Sequence, residues 1–172
     1  MALERMWAGW RTAYIDGVLG PGSDSETGAC LFCALPDAEA DEALVVVRAD
    51  HAYVVLNAYP YTSGHLMVVP ARHVAELDDL DDDEARQVMT MTQQATTAIR
   101  AAYAPQGMNV GMNLGRAAGA GVPGHLHVHV LPRWAGDTNF MTSVAEARVL
   151  PEPLSQALER LRAAWPSAER RS

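Results

Sequence analysis

Hydrophobic and polar positions follow two different rhythms along this 172-residue chain. Three short runs, 44–48, 53–57 and 65–69, are rich in β-branched and aliphatic residues and read as strands. Turn chemistry separates them, Ala49-Asp-His51 and then Tyr59-Pro-Tyr-Thr-Ser-Gly64. Connections this short suit antiparallel neighbours, because parallel strands need longer crossovers. The rhythm then changes. Ala85, Val88, Thr92, Ala95, Ile99 and Ala102 recur at steps of three and four, a single stripe of one long helix. Asp81 and Glu84 form a D-x-x-E capping box, and the acidic run 78–84 suits the positive end of that helix. Pro105 and Gly107 stop it. Two more strands are predicted at 108–114 and 126–131, joined by a Gly-rich loop over 115–124, and a short helix near 154–164. Strands, helix, strands, helix, without strict βαβ alternation, predict an α+β fold. Its antiparallel sheet should have about five strands, with one long helix and a short C-terminal one. Residues 1–172 are expected to form one domain. In it, 1–29 would be an N-terminal arm and loop, and 150–172 the C-terminal helix and tail.

Charge narrows the partners. Thirteen basic against twenty-one acidic side chains leave a net charge of −8, a field that repels nucleic-acid backbones. An anionic ligand must then be held by a local cluster of donors. No apolar run approaches the roughly 18 residues of a membrane span, and the N-terminus lacks the hydrophobic stretch of a secretory signal. The expectation is a soluble cytoplasmic protein that binds neither membrane nor nucleic-acid polymer.

Three of the six histidines alternate in Gly124-His125-Leu126-His127-Val128-His129-Val130-Leu131. Alternate side chains of a strand share a face, with Cα atoms about 6.5 Å apart. Three imidazoles therefore point one way while Leu126, Val128 and Val130 bury the other face. Imidazole is a nucleophile toward phosphorus and titrates near neutral pH. The glycine loop beside it can turn backbone N–H groups toward an anion. One rival is a catalytic metal on His127 and His129, although no carboxylate lies near in sequence to complete such a site.

The pattern H-φ-H-φ-H-φ-φ, with φ apolar, resembles the signature of the histidine-triad family of nucleotidyl hydrolases and transferases. The resemblance continues through Asn57-Ala-Tyr-Pro-Tyr-Thr-Ser-Gly-His65, Asn109-Val-Gly-Met-Asn-Leu-Gly115 and Pro132-Arg-Trp-Ala-Gly-Asp-Thr-Asn-Phe140, covering residues 3–150. In particular it resembles the actinobacterial branch described as diadenosine tetraphosphate phosphorylases. The resemblance implies a histidine-triad fold and an enzyme in which His127 is the nucleophile and His129 binds the phosphate and the leaving oxygen. It implies that Asn113 meets the phosphates, that Asn57 meets the ribose hydroxyls, and that His65 lies near the same site. Phe32, Leu35 and Leu56 are candidates for the base pocket, although core packing alone would account for each. Many relatives carry a serine or threonine just before the triad. Here Gly121 or Val122 stands in that neighbourhood, leaving a backbone N–H, with Arg116 as a flexible substitute donor to a polyphosphate.

Cys30 and Cys33, the only cysteines, have C-x-x-C spacing, half of a zinc site. The resemblance supplies the other half: His73, after the strand-ending Pro70, and the first triad histidine, His125. A closed Cys2His2 set would hold structural zinc, with no catalytic metal required. Free thiols or a redox pair are the alternatives, though a thioredoxin-like pair belongs in a βαβ context that is missing here. The implied substrates are adenine nucleotides or dinucleoside polyphosphates, with water or inorganic phosphate as acceptor. The runner-up activity is nucleoside phosphoramidase, and a non-catalytic nucleotide sensor is the reading from outside enzymology. Family members are usually homodimers, so at least a dimer is expected. Trp7, Trp10 and Arg11 resemble a motif that opens this branch. Trp134 is a candidate for substrate, partner or core contact.

Overall fold

A computed structural model describes residues 30–39, 43–137 and 152–166. Trp7, Trp10 and Arg11, the arm and loop expected over 1–29 and the end of the motif at Phe140 lie outside the described residues. Five strands, β1 (Val45–Arg48), β2 (Ala52–Leu56), β3 (Leu66–Pro70), β4 (Gly107–Gly111) and β5 (Val128–Arg133), form one sheet in the order β1-β2-β3-β5-β4. Every pairing is antiparallel. Among the described residues three α-helices accompany it: α1 (Leu31–Ala34), a single turn; α2 (Asp82–Tyr103); and α3 (Leu154–Ala164). The fold is α+β, with the strand count and the two helices expected from the hydrophobic rhythm. The turn α1, inside the C-x-x-C segment, was not anticipated.

Period-two alternation divides the sheet into two faces. Ala52, Val54 and Leu56 of β2, Leu66 and Val68 of β3, and Val128 and Val130 of β5 pack against Val88, Met91, Ala95 and Ile99 of α2 and Leu158 and Leu161 of α3. Tyr53, Val55, Met67 and Val69 face the other way, where Phe32 joins them. His129 of β5 stands on this second face, since it is paired with Met67. The buried stripe of α2 contains Val88, Thr92, Ala95 and Ile99 as expected, with Met91 and Ala98 added; Ala85 is exposed.

At the start of α2 the Asp81 carboxylate accepts from the Asp83 and Glu84 amides, while Glu84 Oε2 accepts from the Asp81 amide. Both halves of the capping box are therefore made. The buried Glu84 also takes two bonds from Arg72, Nε to Oε1 at 2.7 Å and Nη2 to Oε2 at 2.6 Å. The acidic run thus caps the helix and clips it to the segment after β3.

Most strand boundaries are displaced from expectation by one to three residues. The last strand begins at Val128 rather than 126, because its neighbour runs out at Pro70. Proline has no N–H to give the ladder, and the Pro70 carbonyl accepts from His125 Nε2 at 3.0 Å. Leu126 instead donates its N–H to Val74 O at 2.7 Å. β4 ends at Gly111, paired with His129, one residue before β5 itself runs out at Val128, so it stops short of 114. At the other edge Leu44 has φ +55°, a left-handed conformation that excludes it from β1.

Candidate active site and metal centre

His125, His127 and His129 are all buried, on the segment that crosses from the Gly-rich loop into β5. Each ring has its own set of partners, and those partners settle which nitrogen carries a proton.

His127 Nδ1 lies 2.8 Å from the His125 carbonyl. A carbonyl only accepts, so Nδ1 carries the hydrogen and Nε2 carries the lone pair. Among the described residues the one sealed side-chain polar atom without a partner is Ser63 Oγ. No hydrogen bond among the described residues engages His127 Nε2, and the residue is 5% exposed. Burial pushes the imidazole below its ordinary pKa, against the hydrogen bond to the His125 carbonyl, which raises it. The result is a neutral ring at neutral pH with an available lone pair.

The His129 ring is set by a longer chain. The Tyr61 amide donates to His65 Nδ1 at 3.2 Å. The Asn57 side-chain amide also lies 3.2 Å from that nitrogen. Its Oδ1 is occupied in accepting from the Tyr59 amide at 2.9 Å, so its nitrogen is the end that faces His65. With two donors on Nδ1, a neutral His65 carries its proton on Nε2 and gives it to His129 Nδ1, 2.9 Å away. His129 then carries its own proton on Nε2. The His127 and His129 rings are 4.9 Å apart and nearly perpendicular, the first with its lone pair and the second with its proton on Nε2.

Aromatic rings flank the pair. Phe32 packs on His127 with centroids 5.0 Å apart, and Tyr61 stacks beside His129 at 6.1 Å. Across from His129 stands Gly111, where a Cβ would meet nothing within 4 Å. The space above Gly111 on the His129 face is thus open.

Of the other expected residues, Asn113 is half-buried just beyond β4, and Gly121 and Arg116 lie in the loop that leads to His125. Leu35 packs in the cluster around Phe32. Leu56 belongs to the opposite, helix-facing core at 1% exposure, where packing accounts for it. Asn57 is joined to His65 as described. Trp134 sets its ring edge against Tyr103 at 6.3 Å. Tyr61, whose backbone orients His65, and Pro70, whose carbonyl orients His125, were not singled out from sequence. Only the position of Pro70 at a strand end hinted at such a role.

Cys30, Cys33, His73 and His125 form a second cluster, with ligand atoms all within 4.8 Å of one another. Cys30 Sγ is 3.3 Å from His125 Nδ1; Cys33 Sγ is 3.3 Å from His73 Nδ1 and 3.6 Å from His125 Nδ1. Tetrahedral zinc, with sulfur at about 2.3 Å and nitrogen at about 2.0–2.1 Å, places its ligands about 3.3–3.8 Å apart. The donor set and its spacing fit zinc. The Pro70 carbonyl fixes the proton of His125 on Nε2 and leaves Nδ1 for a metal, the outer support such ligands usually have. Burial raises the Cys33 thiol, and the adjacent Cys30 raises it further. A bound cation would reverse that effect. His127 and His129 join no such cluster among the described residues.

Comparison with known proteins identifies the family and the fold. The HIT domain family matches residues 38–136. A protein of Mycobacterium tuberculosis named AP-4-A phosphorylase is 43% identical over 165 residues, covering 95% of this chain and 85% of that one. Among solved structures, a zinc-bound histidine triad family protein of Mycobacterium smegmatis aligns with TM-score 0.64 and 29% identity, over 79% of this chain and 92% of its own. A histidine triad nucleotide-binding protein of Sulfolobus tokodaii aligns with TM-score 0.64 and 26% identity, over 78% and 91%. No helix among the described residues is long and apolar enough to cross a membrane.

Proposed function

The chain belongs to the HIT family, and from that premise we propose that it cleaves dinucleoside polyphosphates through a covalent nucleotidyl-His127 intermediate. One observation carries the reading: His127 Nδ1 is held by the His125 carbonyl, so the lone pair is on Nε2.

In the first step Nε2 bonds to the α-phosphorus, and the bond from that phosphorus to the bridging oxygen of the departing nucleotide breaks. The ring becomes positively charged, and the His125 carbonyl on its Nδ1–H stabilises that charge. His129 Nε2–H serves as donor to the phosphoryl and leaving oxygens. In the second step water or inorganic phosphate attacks the same phosphorus, breaks the N–P bond and frees a nucleoside monophosphate or diphosphate. Splitting one substitution into two gives each a better nucleophile or leaving group.

The name of the mycobacterial relative supports phosphate as the acceptor. Structural zinc on Cys30, Cys33, His73 and His125 completes the proposal. When bound it ties the C-x-x-C segment to the histidine strand and takes no part in the displacement. The quaternary expectation is a homodimer, supported by the outer strand β4 with Val110 half exposed. Diadenosine tetraphosphate incubated with and without inorganic phosphate tests the activity. ADP plus ATP formed only with phosphate is the expected result; AMP plus ATP in plain buffer assigns a hydrolase. No turnover in either condition contradicts the reading.

A further inference from the structure

Phe32 lies between the two cysteines and is buried to 3% exposure, so little of its ring remains for a nucleotide base to touch. Its ring meets both ends of the histidine segment, His127 at 5.0 Å and His125 at 5.6 Å. Two anchors hold its backbone. From the sheet, the Tyr53 hydroxyl donates to the Phe32 carbonyl at 2.6 Å. From either side, Cys30 and Cys33 close on His125 Nδ1. His125 is also the residue whose carbonyl sets the His127 tautomer.

The metal cluster and the nucleophile are therefore joined twice, through the His125 backbone and through the Phe32 ring. We propose that Phe32 is a positioning residue, clamped by the metal centre against His127, and that occupancy of the centre is transmitted to the nucleophile through this ring. The inference rests on the reading of His127 as the nucleophile. An imidazole has two soft ring torsions, and a hydrogen bond at Nδ1 fixes one direction only. The Phe32 ring, tilted 45° against the imidazole, restricts the remaining swing, and a misplacement of about 1 Å at a reacting atom costs on the order of a hundredfold in rate.

Phe32→Leu keeps an apolar side chain and both cysteines. Expected for it are zinc content unchanged at about one per chain and AMP affinity within about threefold of the parent. Its kcat with diadenosine tetraphosphate should fall by about tenfold to a hundredfold. In 15N NMR the His127 ring should lose its single Nδ1–H tautomer signature. Removing zinc from the unmutated protein with a chelator should change the His127 signature in the same way. Phe32→Trp, which restores an aromatic face, should recover part of kcat. The proposal is overturned if Phe32→Leu weakens AMP binding tenfold with kcat intact, which would make Phe32 a base contact. It is equally overturned if Phe32→Leu loses its zinc, or if the His127 signature is indifferent to both changes. A His127→Ala variant run alongside separates the two failures. Inactive His127→Ala with fully active Phe32→Leu removes this inference alone, and active His127→Ala removes the nucleophile reading.

Discussion

His65 Nε2 lies 2.9 Å from His129 Nδ1, across 64 residues of sequence, with both rings buried. Because the Tyr61 amide and the Asn57 side chain both donate to the far nitrogen of His65, the proton on the near nitrogen is directed at His129. The expected consequence is a selective effect on chemistry. His65→Ala should lower kcat by about tenfold to a hundredfold while changing AMP affinity far less. Asn57→Ala leaves the Tyr61 amide in place and should cost less in kcat. Steady-state kinetics with AMP titration checks both. A large rise in the AMP Kd with kcat unchanged would show that His65 binds rather than orients.

The Cys2His2 cluster should retain zinc through purification without added metal, at about one per chain by elemental analysis. Cys33→Ser should lose that zinc and lower Tm by more than about 5 °C, because a metal bound only by the folded form adds to its stability. Zinc-free protein with unchanged Tm would contradict the assignment.

Stability toward acid should follow the Arg72–Glu84 pair. The guanidinium of Arg72 holds the Glu84 carboxyl down to about 2, against burial, which raises it, from an ordinary value of 4.5. A group depressed in the folded state stabilises fully above its unfolded value, and that contribution is lost as the pH falls. Tm should therefore decline between pH 4.5 and about 2. Glu84→Ala should flatten that decline and cost about 1–3 kcal/mol at neutral pH through the lost cap and ion pair. Thermal melts across the pH range measure both, and an unaltered acid limb in Glu84→Ala would contradict the assignment.

Gly64 precedes His65 with φ +76°, and a Cβ there would lie 2.6 Å from Tyr103 Cε2. Gly64→Ala therefore meets both backbone strain and a clash with the end of α2. It should cost about 1–3 kcal/mol or more. Chemical denaturation gives the value directly; a neutral Gly64→Ala would show that the turn is set differently.

Local chemistry made some of this legible in the sequence and left the rest hidden. The capping box at Asp81 and Glu84 and the bounds of α3 depend on residues close in sequence, and both were readable. The alternation of His125, His127 and His129 likewise announces a shared face. What sequence does not reveal is contact across long separations. Nothing near Tyr53 signals that its hydroxyl holds Phe32, and nothing near Phe32 signals that its ring lies on His127. The start of β5 was misplaced because it depends on what Pro70, far away in sequence, fails to donate. Leu56 alternates correctly for a strand, yet alternation alone does not say which face looks toward the helices.

The nucleophile itself is best tested by catching it. Mixing the protein with diadenosine tetraphosphate without phosphate, quenching in alkali to preserve an N–P bond, and mapping peptides by mass spectrometry should find an adenylyl group on the His127 peptide. His127→Ala should show no adduct and a turnover reduced by several orders of magnitude. Sustained cleavage by His127→Ala, or an adduct on another residue, would contradict the account.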